Sequence, residues 1–302
     1  MSSASPSGAS PSSRPQPVSR WRRVFTGSPS VRGAAGVLGY GALVLAVFPI
    51  QGQLLRRWLV GLDGVSLYLV GHLVQLVEIL LFAWVASRLG RQSFATYGLP
   101  WHLAVRARFW QGAAVGIGAL TTLVLSMVAL GGLRLSLPAH FGIEVPLAAV
   151  GYLLIFIVLA LREEFLYRGY GLSALAGQIG FWPAALVTSA WFVATHATGS
   201  GESTVGLVAV GMFGMLACLL LLRTGSLWLP IGLHAAWDWG ETFLFGVSDS
   251  GHAAAPGHLF AASVPKDAPA WLSGGATGPE GSILCLVLLV ALIVGSALPR
   301  RR

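Results

Sequence analysis

The chain has 302 residues, of which 55% are hydrophobic and only 10% charged. Soluble domains carry about 25% charged residues, so a water-soluble fold is excluded, and several stretches of ~20 apolar residues account for the deficit as membrane spans. The net charge of +8 comes almost wholly from arginines near span ends, where membrane topology and anionic head groups explain it and nucleic acid is not an expected partner.

In chain order, residues 1–31 are rich in Ser, Pro and Arg and have little to bury. They read as a disordered cytosolic tail, with 32–302 as the transmembrane domain. No convincing signal-peptide cleavage site follows the first apolar run. Spans are predicted over 34–50, 65–87, 109–131, 145–168, 182–198, 204–223, 226–247 and 281–298. Pro183 suits the first turn of the fifth. His72 and Glu78 in the second span read as interhelical hydrogen-bonding groups. Residues 88–108 mix aromatics with Arg and are expected to lie along the head groups. Cys218 and Cys285 sit in apolar runs and read as small buried hydrophobes; they form neither a metal spacing nor a disulfide framework. The expected fold is therefore all-α: a polytopic bundle of about eight spans in the lipid bilayer, enclosing a polar cavity.

Arginines precede the first span, follow the second, close the fourth at Arg162 and Arg168, close the sixth at Arg223 and follow the eighth. All fall on one side if both termini are cytosolic. Arg56 and Arg57 are the exception, and the loop 248–280 should lie outside. The Arg- and Ala-rich composition points to a bacterial plasma membrane.

An ionisable side chain at membrane depth costs about 2.5–3.5 kcal/mol on insertion scales, so such groups face a protein interior or a wet cavity. Three clusters stand out. In Arg162-Glu163-Glu164-Phe165-Leu166-Tyr167-Arg168, Glu164 and Arg168 are four apart and can pair on one helix face. Glu163 is rotated about 100° away and stays available as a general acid or base. His196 closes the run Trp191-Phe192-Val193-Ala194-Thr195-His196. His234, Asp238 and Glu241 share one helix face at i, i+4 and i+7. Each cluster alone has a plain structural reading: an ion-paired helix end, a hydrogen-bonded core histidine, or a network between helices.

Together they resemble the CAAX-protease and bacteriocin-processing (CPBP, or ABI) family of intramembrane proteases. Its motifs EExxxR, FxxxH and HxxxN/D appear here in order as Glu163-Glu164-x-x-x-Arg168, Phe192-x-x-x-His196 and His234-x-x-x-Asp238, within a core of about 145–247. The resemblance implies an eight-helix fold with a conical cavity open to the cytosol. It implies that Glu163 and His196 activate water, that His234 and Asp238 stabilise the oxyanion, and that Glu164 with Arg168 holds the helix geometry. Eukaryotic CAAX enzymes carry Asn where this chain has Asp238. An ionised Asp cannot donate to an oxyanion, so Asp238 is protonated, orients His234 or helps bind a metal. No cofactor is expected; the alternative is zinc on Glu163, His196, His234 and Asp238, with an open position.

The leading expectation is an endopeptidase acting on a peptide or membrane-protein segment near the cytosolic face. Prenylated substrates are not expected. The competing readings are a membrane scaffold or bacteriocin-immunity protein, and a small proton-coupled transporter. The transporter reading predicts an internal repeat and unwound mid-span segments, neither of which is visible. Depth poses one problem. Glu163 falls near the end of its predicted span, whereas His196 lies about fourteen residues into the next. The motifs meet only if the fourth helix is long and tilted or continues to about Ala174, or if the fifth starts outside the hydrocarbon; Tyr170 to Leu175 are expected to extend the fourth helix.

Overall fold

The structure is a computed structural model that describes residues 30–62, 64–91, 93–101, 104–137, 142–199, 201–253 and 256–298. All but the end of the expected N-terminal tail, and the Arg300–Arg302 run, lie outside these residues. Among the described residues, eight helical rods make the bundle: α1 (Val31–Trp58), α2 (Gly64–Leu89), α3 (Trp110–Ala129), α4 (Glu144–Ile179), α5 (Phe181–His196), α6 (Thr204–Thr224), α7 (Trp228–Trp239, continued by a wide turn Gly240–Phe245) and α8 (Ile283–Ala297). Five of them (α1 to α4 and α6) are long and apolar enough to cross a membrane. Leu45, Leu154, Val187 and Val290 are exposed on the rods, as lipid-facing residues must be. The chain is thus an all-α polytopic membrane bundle.

Loop hydrogen bonds sort the rod ends into two groups. At one end, Ser30 N–H donates to Gln178 Oε1 at 3.0 Å. There too Leu227 N–H donates to Gly98 O at 2.7 Å, and Arg223 donates to Ser296 O. We call this the terminal end. At the other, β1 (Arg134–Ser136) pairs antiparallel with β2 (Ala261–Ser263). Tyr152 Oη donates to Pro256 O at 2.9 Å, and Ser203 N–H donates to Thr277 Oγ1 at 2.8 Å. We call this the loop end. Residues 93–101 are anchored at their middle, while Ser93 and Trp101 at the two ends are exposed. Tyr97 is buried with Phe94 against Phe165 and Tyr170.

Two local devices set the geometry of the polar helices. First, α4 does not stop at Arg168. A wide turn at Leu166–Tyr170, bent at Gly169 (φ −79°, ψ −114°), carries it on to Ile179. Such turns free carbonyls from the helical ladder and kink the axis; Tyr40 Oη donates to Leu166 O at 3.0 Å. Glu163 and Glu164 therefore sit mid-helix, and the depth problem disappears. Arg162 and Arg168 do not close a span, because the helix continues past both.

Second, α3 and α7 cross at backbone contact. A Cβ on Gly112 or Gly116 would come within 2.0 Å of Leu229 O or 2.3 Å of Leu233 O, and one on Gly232 within 2.0 Å of Phe109 O. Small residues spaced by four allow this approach in membranes. The crossing fixes the helix that carries His234 and Asp238.

Candidate active site

Glu164 and Arg168 are both fully buried, and Arg168 Nη1 donates to Glu164 Oε1 at 3.2 Å. The pairing expected from their spacing is present. The same Glu164 oxygen lies 3.0 Å from His234 Nδ1. A carboxylate only accepts, so Nδ1 carries the proton and His234 is held in one orientation. The sequence offered no signal for this contact between residues 70 positions apart.

Glu163 is not without a partner. Arg162 Nη1 donates to its Oε1 at 3.1 Å, while Oε2 lies 3.9 Å from His234 Nε2. Asp238 Oδ2 is 3.5 Å from the same nitrogen. Three carboxylates thus surround one imidazole. Of the sequence alternatives for Asp238, this geometry favours orientation of His234.

His196 ends α5. Its Nδ1 lies 2.9 Å from Phe192 O. A carbonyl cannot donate, so Nδ1–H donates and Nε2 is left as an acceptor. Phe192 is buried among the polar groups. Its ring lies 4.4 Å from His196, 6.4 Å from His234 and 4.4 Å from the Arg168 guanidinium. It separates the histidines from a cation while attracting that cation through its π face. Tyr167 was passed over in the sequence; its Oη makes a 2.8 Å hydrogen bond with Thr195 Oγ1, tying α4 to α5 beside His196. Glu241 is fully buried beyond Asp238.

A cavity of about 660 Å³ joins these groups. Glu163, His196, His234 and Asp238 all line it, with Tyr167 and Phe192. The structure therefore brings together the four residues singled out by sequence. The cavity continues to Thr198, Gly199, Asp249, Ser250, His252 and Glu280, all at the loop end. No described residue of the terminal end lines it. Two expectations therefore conflict: a cavity open to the cytosol, and cytosolic termini. In this topology they cannot both hold.

The alternative zinc set does not converge among the described residues. Among the described residues, three or more potential ligand atoms lie within 4.8 Å of one another only at Asp238, Glu241 and Asp249. Glu163, His196 and His234 are outside that group, and the Nδ1 atoms of both histidines are already engaged.

Residues 145–240 match the family model described as Type II CAAX prenyl endopeptidase Rce1-like. The match agrees with the CPBP-family resemblance carried by the three motifs. No curated protein and no solved structure matches the chain. The matched segment runs from the start of α4 into α7, so it contains all three motifs and every helix that supplies Glu163, His196, His234 and Asp238. The domain is of the CAAX-type endopeptidase class, embedded in membrane helices.

Proposed function

We propose that the chain hydrolyses a peptide bond inside the membrane, using a water molecule placed between Glu163 and His196. Glu163 Oε2 and His196 Nε2 are the acceptors on the cavity wall that can take a proton from that water. The hydroxide attacks the scissile carbonyl. His234, held through Nδ1 by Glu164, presents Nε2–H to the developing oxyanion, and Asp238 steadies the charged imidazole. Glu163 then returns the proton to the leaving amine, so water's two hydrogens end on the new carboxyl side and the new amine. Every step uses side chains of this chain, with no cofactor. The single observation that carries the reading is that motif residues from α4, α5 and α7 line one cavity.

The substrate is a peptide or membrane-protein segment. Among the described residues, Arg32, Arg88, Arg91, Arg108 and Arg223 lie toward the terminal end and Arg56, Arg57, Arg134 and Lys266 toward the loop end, while Arg14, Arg20, Arg22, Arg23 and Arg300 to Arg302 flank the terminal end in sequence. Glu144, Glu202, Asp249, Asp267 and Glu280 lie at the loop end. The positive-inside rule makes the terminal end cytosolic. The cavity then admits substrate from the non-cytosolic face, in place of the cytosolic access expected from the family resemblance.

Two experiments test this. Purified protein is incubated with a peptide library beside Glu163→Ala and His196→Ala; cleavage is expected from the parent alone, and activity in both variants refutes the site. Sidedness is read with single cysteines at Ala253 and Leu89 in a chain lacking Cys218 and Cys285. An impermeant maleimide applied to intact cells is expected to label Ala253→Cys and spare Leu89→Cys. The reverse pattern restores cytosolic access without touching the catalytic assignment.

A further inference from the structure

Glu241 has no part in the chemistry above, yet its burial needs a physical explanation. It is fully buried, and neither carboxylate oxygen takes a hydrogen bond from any described residue. A bare buried carboxylate is among the most costly groups a fold can contain, and it calls for a proton or a cation. No lysine or arginine side chain reaches it among the described ion pairs. What does reach it is more negative charge. Oxygens of Asp238, Glu241 and Asp249 all lie within 4.8 Å of one another.

That spacing matches a shared metal ion. Calcium holds oxygens at about 2.3–2.6 Å, so two ligands on opposite sides of it are at most about 5 Å apart. The donors are all carboxylate oxygens, which selects hard cations over zinc or copper. The cluster also has an access route and a source of water ligands, because Asp238 and Asp249 both line the cavity. The elements are suited to hold it. Glu241 opens the wide turn that ends α7. Asp249 is fixed in a tight loop by paired backbone hydrogen bonds with His252, at 3.0 and 2.7 Å.

We infer that Asp238, Glu241 and Asp249 form a binding site for a hard divalent cation of the calcium class, on the loop-end side of His234 in the cavity. The ion neutralises Glu241 and fixes Asp238 as an ionised carboxylate facing the imidazole. This answers how an Asp serves where relatives carry an amide: it orients His234 and leaves donation to the oxyanion to the histidine. The inference does not depend on proteolysis, because binding is measurable without any substrate.

The test is calcium binding to purified full-length protein stripped with chelator, followed by equilibrium dialysis with metal analysis and by thermal unfolding with and without CaCl2. Saturable binding of one ion per chain is expected, together with a calcium-dependent rise in unfolding temperature. Glu241→Gln and Asp249→Asn should each weaken binding by at least about ten-fold. Glu144→Gln, at the loop end but off the cavity wall, should leave it unchanged. Absence of saturable binding by the parent protein overturns the inference, as does undiminished binding in both Glu241→Gln and Asp249→Asn. Should either variant fold poorly, the other carries the comparison. MgCl2 run in parallel separates a calcium-sized site from a smaller octahedral one.

Discussion

Glu163 and Glu164 are neighbours in sequence with opposite fates. Glu164 is fully buried and shared between Arg168 and His234, whereas the Glu163 side chain is 13% exposed, on the cavity wall. The two are therefore expected to respond differently to the same change. Glu164→Gln leaves Arg168 as an uncompensated buried charge, and removing one partner of such a pair costs about 3–5 kcal/mol. A large fall in unfolding temperature, with loss of cleavage, is the expected outcome. Glu163→Gln should abolish cleavage while unfolding close to the parent. Gly214 tests the same pair by steric means: a Cβ there would sit 2.8 Å from Arg168 Nη2 and 2.9 Å from Ser189 Oγ. Gly214→Ala is expected to destabilise by about 1–3 kcal/mol, as overpacking does, measured by thermal unfolding. Sequence spacing was enough to assign Glu164 to Arg168 and to leave Glu163 for chemistry. It could not show that Arg162 occupies one Glu163 oxygen, because adjacent residues on a helix normally point apart.

At the scale of elements, the length of α4 decides whether a site exists. Arg162 and Arg168 read in sequence as charges that close a span, although Gly169 and Gly171 follow within the same helix. The wide turn absorbs Gly169 and keeps the helix going, with Tyr40 from α1 hydrogen-bonded to Leu166 O. The expected extension to Ala174 came from the need for the motifs to meet, and the observed helix reaches Ile179. The α3–α7 crossing left no comparable sign, since its glycines are scattered among many others. Gly116→Leu should force α3 away from α7, displace His234 and reduce cleavage more than it reduces helicity, with activity compared against circular dichroism. In the turn after α5, burial and the Glu280 carboxylate push Glu202 from its usual 4.5 up to about 7. The fold thus favours the neutral form. The stability from this group is present in full at low pH and is lost as pH rises through about 7. Glu202→Gln is expected to raise the unfolding temperature at pH 8 and leave it unchanged at pH 4.

For the whole molecule, composition alone excluded a soluble fold, and hydropathy placed all eight rods, including those too short to stand out as crossings. Motif order identified the helices that meet. Cavity direction was not legible, because it depends on which loops fold over which rod ends; the hydrogen bonds joining 134–136 to 261–263 and 201–203 to Thr277 group the loops at the end where the cavity lining continues. Arg distribution then turns a question of fold into one of sidedness. A Glu163-dependent hydrolytic site reached from the non-cytosolic face fixes where a substrate is cut, and mapping the cut in a single-span reporter reads this out. The reporter is co-reconstituted with the enzyme in oriented proteoliposomes, and the products are identified by mass spectrometry. One cut is expected in the non-cytosolic half of the reporter span, absent with Glu163→Gln. A cut confined to the cytosolic half, or one that persists in Glu163→Gln, contradicts such a site.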